Sequence, residues 1–366
     1  FPFKWILGVN YYTSESSRTS TADDARVTDS YSEVTDDTKA AFVNITYPIT
    51  ENLRGNGGLR YSDAKAQSVG GLFGVSNAPE FNRPDYKLGI EYDLAENSML
   101  YASYATSYRV NAFRTGIPPE RAKTYTVGAK NRFLNNKLQV NGAAYYYDYQ
   151  DYYANMPPAR LPVWDDEAGA WTDGGELVNI STGDAVVYGF DVQTSTIIST
   201  KDRLDFSVSY IKKYFKDLIF DFPDVLNEEF GLPDLDYSDK DMPQAPNWKL
   251  STTYSHNFQL PNGGSLRGSI DASYTTKTCL NYMAKNVNID LTTGEAYTTD
   301  TADVRWQEAY HMENVSLVYT HSDGQWTISG YCNNLMNYCV KRFLDGQGNM
   351  QVGNPRTYGA VLSVRF

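Results

Sequence analysis

Apolar and polar residues alternate along most of this chain with a period of two. In the stretch 137–153, KLQVNGAAYYYDYQDYY, alternate positions put Leu138, Val140, Gly142, Ala144 and Tyr146 on one face. The other face receives Gln139, Asn141, Ala143, Tyr145 and Tyr147. Such a period predicts a strand with one apolar and one polar face. The pattern returns at Trp5, Leu7, Val9 and Tyr11, at Tyr86, Leu88, Ile90 and Tyr92, and at Tyr125 and Val127. It closes the chain as Tyr358, Ala360, Leu362, Val364 and Phe366. About 14 segments of roughly ten residues each predict an all-β fold, a transmembrane antiparallel outer-membrane β-barrel.

The links between these segments alternate in length. ITEN after Tyr47, LAENS at 94, LNNK at 134, STKDR at 199, PNGG at 261 and HSDGQ at 321 are short. Between them lie long loops near 13–38, 62–83, 109–121, 153–182, 215–246, 279–307 and 339–355. Short periplasmic turns and long extracellular loops are expected of such a barrel. A soluble sandwich has no reason to keep every second loop short. On this reading the chain starts and ends on the periplasmic side, with Tyr146 in an aromatic girdle at the outer interface.

Composition bears on this picture at few points. The formal net charge of −12 and the acidic isoelectric point near 4.8 argue against nucleic acid as a partner. No run of about 18 apolar residues predicts a membrane helix, which leaves the barrel reading untouched. Thirty tyrosines suit surfaces where an apolar ring meets a wet hydroxyl, as at a membrane interface. The opening FPFKWILGVNYYTSES lacks the features of a secretory signal. Cys279, Cys332 and Cys339 are too few for a disulfide scaffold, and the Cys332/Cys339 spacing leaves both a cross-link and free thiols open.

Candidate chemistry is sparse. His256, His311 and His321 fall near strand ends, with no G-x-S-x-G elbow, metal-ligand spacing or phosphate-binding loop beside them. A hydrolase would require a serine within hydrogen-bond reach of one of these rings. The acidic stretches 163–176 and 220–241 match no calcium-loop spacing and read as solvated loops. The expectation is a protein that is not an enzyme and holds no metal or cofactor.

The segments PDYKLGIEYDLAENSMLYASYATSYRVNAF and PERAKTYTVGAKNRFLNNKLQVNGAAYYYDYQDY resemble the barrel of TonB-dependent outer-membrane receptors. So do STGDAVVYGFDVQTS and the closing ISGYCNNLMNYCVKRF with GNPRTYGAVLSVRF, including Asn334-Leu335 and Pro355 to Gly359. The resemblance implies an energy-coupled receptor for a scarce bulky nutrient, above all a ferric siderophore complex. Because such transporters have about 22 strands around a plug, it further implies that residues 1–366 are the C-terminal portion of the barrel. The plug and first strands are then absent, and contact with the TonB complex is made through that missing region. The other partners implied are outer-membrane lipid and lipopolysaccharide, the barrel assembly machinery and an extracellular small-molecule ligand, a metal chelate being one form. Tyr358, Leu362, Val364 and Phe366 would form the assembly signal. Ligand contacts are expected from Tyr145, Tyr147, Tyr149, Tyr152, Tyr153, Trp164 and Trp171, with Arg109 and Arg114 for an anionic group. The alternatives are a free-standing passive channel of about 14 strands and a soluble β-sandwich adhesin.

Overall fold

The computed structural model describes residues 3–20, 30–70, 75–77, 81–110, 118–155, 159–165, 169–177, 180–220, 235–281, 285–289, 296–300, 305–344 and 350–365. Fourteen long strands follow one another in one antiparallel sheet, each paired with its neighbours in chain order. They are β1 (Lys4–Ser20), β2 (Ser30–Pro48), β3 (Leu53–Gly70), β4 (Phe81–Ala95), β5 (Ser98–Arg109), β6 (Glu120–Phe133) and β7 (Leu138–Asn155). The series continues with β8 (Ile180–Ile197), β9 (Asp202–Asp217), β10 (Trp248–Gln259), β11 (Ser265–Thr275), β12 (Tyr310–Thr320), β13 (Trp326–Asn333) and β14 (Thr357–Val364). A three-residue strand, Val75–Asn77, adds to β3. The strand count and the alternation of short and long links match the sequence pattern.

Two predicted loops are shorter than their sequence suggested. β1 continues through Ser20, β2 begins at Ser30, and β3 runs on to Gly70. The reason is local: SESSRTS and SYSEVTDD are polar on both faces, so the hydropathy alternation vanishes while the backbone ladder continues. Hydrogen bonding between strands needs no apolar face.

By internal contacts the chain forms two units. One comprises 1–128, 145–153 and 182–186, and the other 129–144, 154–181 and 187–366. In the first, register aligns Leu7, Val43, Leu59 and Tyr86 across β1 to β4, one residue from each strand on one face. Leu7, Leu59 and Leu88 are more than half exposed, and Val9 is 85% exposed. Keeping such side chains in water forfeits roughly 1.5–3 kcal/mol each. A face built this way belongs against lipid. The opposite face carries Thr46, Asn56, Arg54, Glu91 and Asp93, joined by hydrogen bonds from Arg54 to both carboxylates and from Asn56 to Glu91 at 3.0 Å.

An aromatic row crosses the exposed face of this unit. Tyr86, Tyr104, Tyr125 and Tyr146 stand one per strand with ring centroids 5.7, 4.9 and 6.3 Å apart. The second unit has its own cluster, Phe190, Tyr210 and Trp248, with centroids 4.8 to 5.8 Å apart. Rings in such rows are what a girdle at a lipid–water boundary requires.

Buried apolar residues of the second unit lie instead beyond the sheet's alternating part. Phe215, Leu218, Phe220 and Met242 are buried where residues 213–220 and 235–242 pair, and Leu280, Val340 and Leu344 are buried in neighbouring long-loop segments. These segments are tied by Lys341 N–H to the Gln307 side chain at 2.7 Å. The long loops thus carry a small core of their own. At the other end, short turns use left-handed backbone: Gly263 at φ 81°, Gly324 at φ 69°, and Leu134, Asn135 and Asn136 at 52° to 66°. The three cysteines are free thiols, so Cys332 and Cys339 are not cross-linked.

Candidate functional site

β7 climbs past its girdle residue Tyr146 into a run of rings. Tyr145, Tyr147 and Tyr149 project from the opposite face, since side chains two apart share a face. Tyr145 and Tyr147 stack at 5.2 Å, Tyr149 meets Tyr147 edge-on at 6.3 Å, and Tyr152 meets Tyr149 edge-on at 5.7 Å. The result is a continuous aromatic ladder along one strand. Asp151 adopts φ 55°, an irregularity that shifts the face on which the following residues project and lets Tyr152 continue the ladder after Tyr149.

The ladder's upper end is organised by a residue absent from the sequence-based candidates. Glu120 opens β6 and is 7% exposed. Its carboxylate accepts from the Arg109 guanidinium at 2.9 Å and from the Tyr153 backbone N–H at 2.9 Å. One buried carboxylate therefore joins the end of β5, the start of β6 and the end of β7, which are the roots of two long loops. Arg121 pairs in turn with Asp151. Burial raises the phenols of Tyr149 and Tyr152 above their ordinary pKa, and the Glu120 charge adds to both. Both rings stay protonated donors well above neutral pH.

Of the sequence-predicted ligand residues, Tyr145, Tyr147, Tyr149 and Tyr152 form the ladder, and Tyr153 touches the group through its backbone. Arg109 is 66% exposed along its side chain but is engaged by Glu120 rather than free. Trp164 and Trp171 oppose each other in the register of a hairpin made by Ala159–Asp165 and Ala170–Leu177. The side chains of those two tryptophans, and Arg114 and Phe366 altogether, lie outside the described residues. Tyr358, Leu362 and Val364 project from β14 opposite Cys332, Ile328 and Trp326, with Tyr358 81% exposed. Glu120 left no trace in the sequence because PPERAK lacks alternation and its partners lie 11 and 33 residues away.

Each histidine lies against a carboxylate: His256 against Asp202 at 2.6 Å, His311 against Glu313 at 2.6 Å and His321 against Asp323 at 2.9 Å. Ser199 joins the first pair only through Asp202. Among the described residues, no group of three or more His, Cys, Asp or Glu side chains is arranged to hold a metal ion. The site's chemistry is stacking, phenol hydrogen bonding and paired charge.

Comparison with known proteins places these features in context. A family model described as TonB dependent receptor-like, beta-barrel, matches residues 1–335. Among solved structures, the ferric yersiniabactin uptake receptor FyuA from Yersinia pestis aligns over 100% of this chain and 52% of its own, with 15% identity and a TM-score of 0.71. The ferric-catecholate import receptor Fiu from E. coli K12 aligns over 98% of this chain and 51% of its own, with 16% identity and a TM-score of 0.64. The copper transporter OprC aligns over 100% and 55%, with 15% identity and a TM-score of 0.67. This chain spans about half the length of the structures it matches.

Proposed function

The chain belongs to the TonB-dependent receptor-like β-barrel family, and on that premise we propose that it is the C-terminal part of the barrel of an energy-coupled receptor that imports a bulky metal chelate. Barrels of this family sit in the bacterial outer membrane. The observation that carries the reading is the sheet itself: fourteen strands in unbroken antiparallel order, matched by the family model over residues 1–335. The matched structures carry ferric yersiniabactin, ferric catecholates or copper by their own descriptions, so the cargo proposed here is a metal chelate, with a ferric siderophore complex first.

In this proposal the exposed apolar face meets lipid and lipopolysaccharide, and the short turns and both ends of the chain lie in the periplasm. The β14 residues Tyr358, Leu362 and Val364, with Phe366, are read by the assembly machinery. The tyrosine ladder on β7 holds the chelate by ring stacking and by phenol donors directed at its oxygen atoms. Release inward is driven by the TonB complex acting through a region preceding this chain. No covalent step is involved. A free-standing channel of about 14 strands is disfavoured, since the family is one of gated receptors.

The test is ligand binding by the full-length protein that carries this chain, followed through quenching of tyrosine and tryptophan fluorescence by iron(III) chelates. The proposal expects saturable quenching that weakens at least about tenfold when Tyr147 and Tyr149 are both changed to alanine, given roughly 1–3 kcal/mol per stacked ring. Steady ion conductance in planar bilayers without saturable quenching would overturn it.

A further inference from the structure

Three cations gather on Trp306 in the long-loop segments of the second unit. Lys277 follows β11, Arg305 and Trp306 precede β12, and Lys341 follows β13. Pairing of Thr278 with Gln307 and of Cys279 with Trp306 sets the first two segments side by side. Lys277 Nζ stands 5.1 Å and the Arg305 guanidinium carbon 5.6 Å from the centre of the indole ring, both within cation–π range. The Lys341 ammonium donates to the Trp306 carbonyl at 3.3 Å, and the buried Gln307 side chain accepts from Lys341 N–H at 2.7 Å. The third segment is thereby fixed to the other two.

Cations collected this closely repel one another. Glu308 pairs with Lys277 at 2.6 Å, and the Lys277 and Glu308 side chains are 50% and 66% exposed. Such an open pair contributes little and yields to a stronger anion. Among the described residues no carboxylate pairs with Arg305 or Lys341, and Asp241, whose charge acts on the neighbouring Cys279, is engaged by Lys212. Three cations against one carboxylate leave an excess of two positive charges around the ring. Arg305 Nε is shut off from water and meets no acceptor. Stacking on Trp306 orients the guanidinium without consuming its N–H groups, so a fork of donors is already held in place. A planar carboxylate is satisfied by one such fork. A phosphate group carries about two negative charges and three strong acceptor oxygens, one for each cation.

We propose that Arg305, Lys341 and Lys277 around Trp306 form a binding site for a phosphate group. The source of that group, though not the site, rests on the receptor reading above, which turns the long loops outward: it is either the phosphorylated head of lipopolysaccharide or a free phosphate from the medium. The experiment uses the full-length protein. Inorganic phosphate is titrated calorimetrically in a nonionic detergent, and lipopolysaccharide retained after extraction from phosphatidylcholine vesicles is counted by phosphorus analysis. The wild type should bind a phosphate group saturably in at least one arm, more weakly as chloride is raised. Retention of lipopolysaccharide without uptake of inorganic phosphate assigns the lipid source, and saturable uptake of inorganic phosphate shows that the free anion suffices. R305Q should weaken binding at least about tenfold through loss of a charge-assisted fork, and R305K, which keeps the charge alone, about threefold. E308Q should act in the opposite direction, strengthening binding about threefold by releasing Lys277. Compact migration without heating shows that each variant is folded.

Binding of neither probe, or binding that R305Q leaves unchanged, overturns the site. So does an E308Q effect in the same direction as R305Q, which would mean that both act through the stability of the loops. Iron(III) chelates separate the two claims: if they still quench fluorescence when the phosphate site fails, the receptor reading stands, and if they do not, it falls as well.

Discussion

Replacing Asn334 by alanine should destabilise the protein by about 4 kcal/mol. Asn334 is 3% exposed and adopts φ 51°. Its side-chain amide donates to the Tyr338 carbonyl at 2.9 Å and the Asn354 carbonyl at 3.2 Å, and its Oδ1 accepts from Tyr338 N–H at 2.8 Å. Its own N–H donates to the Asn314 side chain at 2.9 Å. Three side-chain hydrogen bonds at about 1 kcal/mol each give about 3 kcal/mol. A left-handed alanine adds about 1 kcal/mol. Glycine tolerates that backbone, so N334G should lose about 3 kcal/mol, roughly 1 less than N334A. Asn334 ties the end of β13 to the segment leading into β14, so the loss should also loosen the Lys341–Leu344 and Met350–Val352 hairpin between them. The assay is denaturant unfolding in lipid vesicles, read by the compact electrophoretic migration of unheated barrel. An N334A midpoint equivalent to less than about 1 kcal/mol, or an N334G variant no more stable than N334A, would refute the reasoning.

Three other predictions follow from the turns and the ladder. A Cβ on Gly264 would lie 2.8 Å from the Thr320 backbone carbonyl, so G264A should destabilise by about 1–3 kcal/mol in the same unfolding assay, whereas G330A, with open space around it, should cost less than about 1. The Asp323 carboxyl is held below its ordinary range by the Gln325 N–H and by His321. Because its folded pKa is depressed, its contribution is present above about pH 4 and fades as pH falls through and below that value. The stability gap between wild type and D323N should therefore be present at pH 7 and shrink on acidification, measured as paired melting temperatures. Removing the Glu120 charge takes away one of the influences that raise the phenols of Tyr149 and Tyr152. Difference absorbance near 295 nm should show two tyrosines titrating at lower pH in E120Q than in wild type, with burial still keeping them above free tyrosine.

The strands were legible because lipid and water impose opposite demands on successive residues. Leu88 and Ile90 cannot share a face with Glu91 and Asp93, and the structure separates them. The short turns were legible through Gly263 and Gly324, where φ is positive. Asn135 and Asn136 marked another turn, and Leu134 adopts the same conformation without any sequence cue. Beyond the girdles the signal fades. Residues 13–20 and 30–38 look like loop because polar side chains suffice above a membrane, yet their backbones pair residue for residue. The tyrosines of β7 were visible as a cluster, and period-two reading separated Tyr146 from Tyr145 and Tyr147. Their organiser was not visible. Glu120 matters through Arg109 and the Tyr153 backbone, and no periodicity records a contact between three strand ends. Arg109 looked free for the same reason: pairing with a carboxylate eleven residues away is a property of the sheet.

The most direct test of the account is uptake of an iron(III) chelate by cells producing the full-length protein, measured as cell-associated radioactive iron with and without a protonophore. The account predicts accumulation that requires the proton gradient, saturates at low chelate concentration and falls when Tyr147 and Tyr149 are both alanine. Accumulation that is indifferent to the protonophore and linear in concentration would contradict it, because that is how a passive channel behaves.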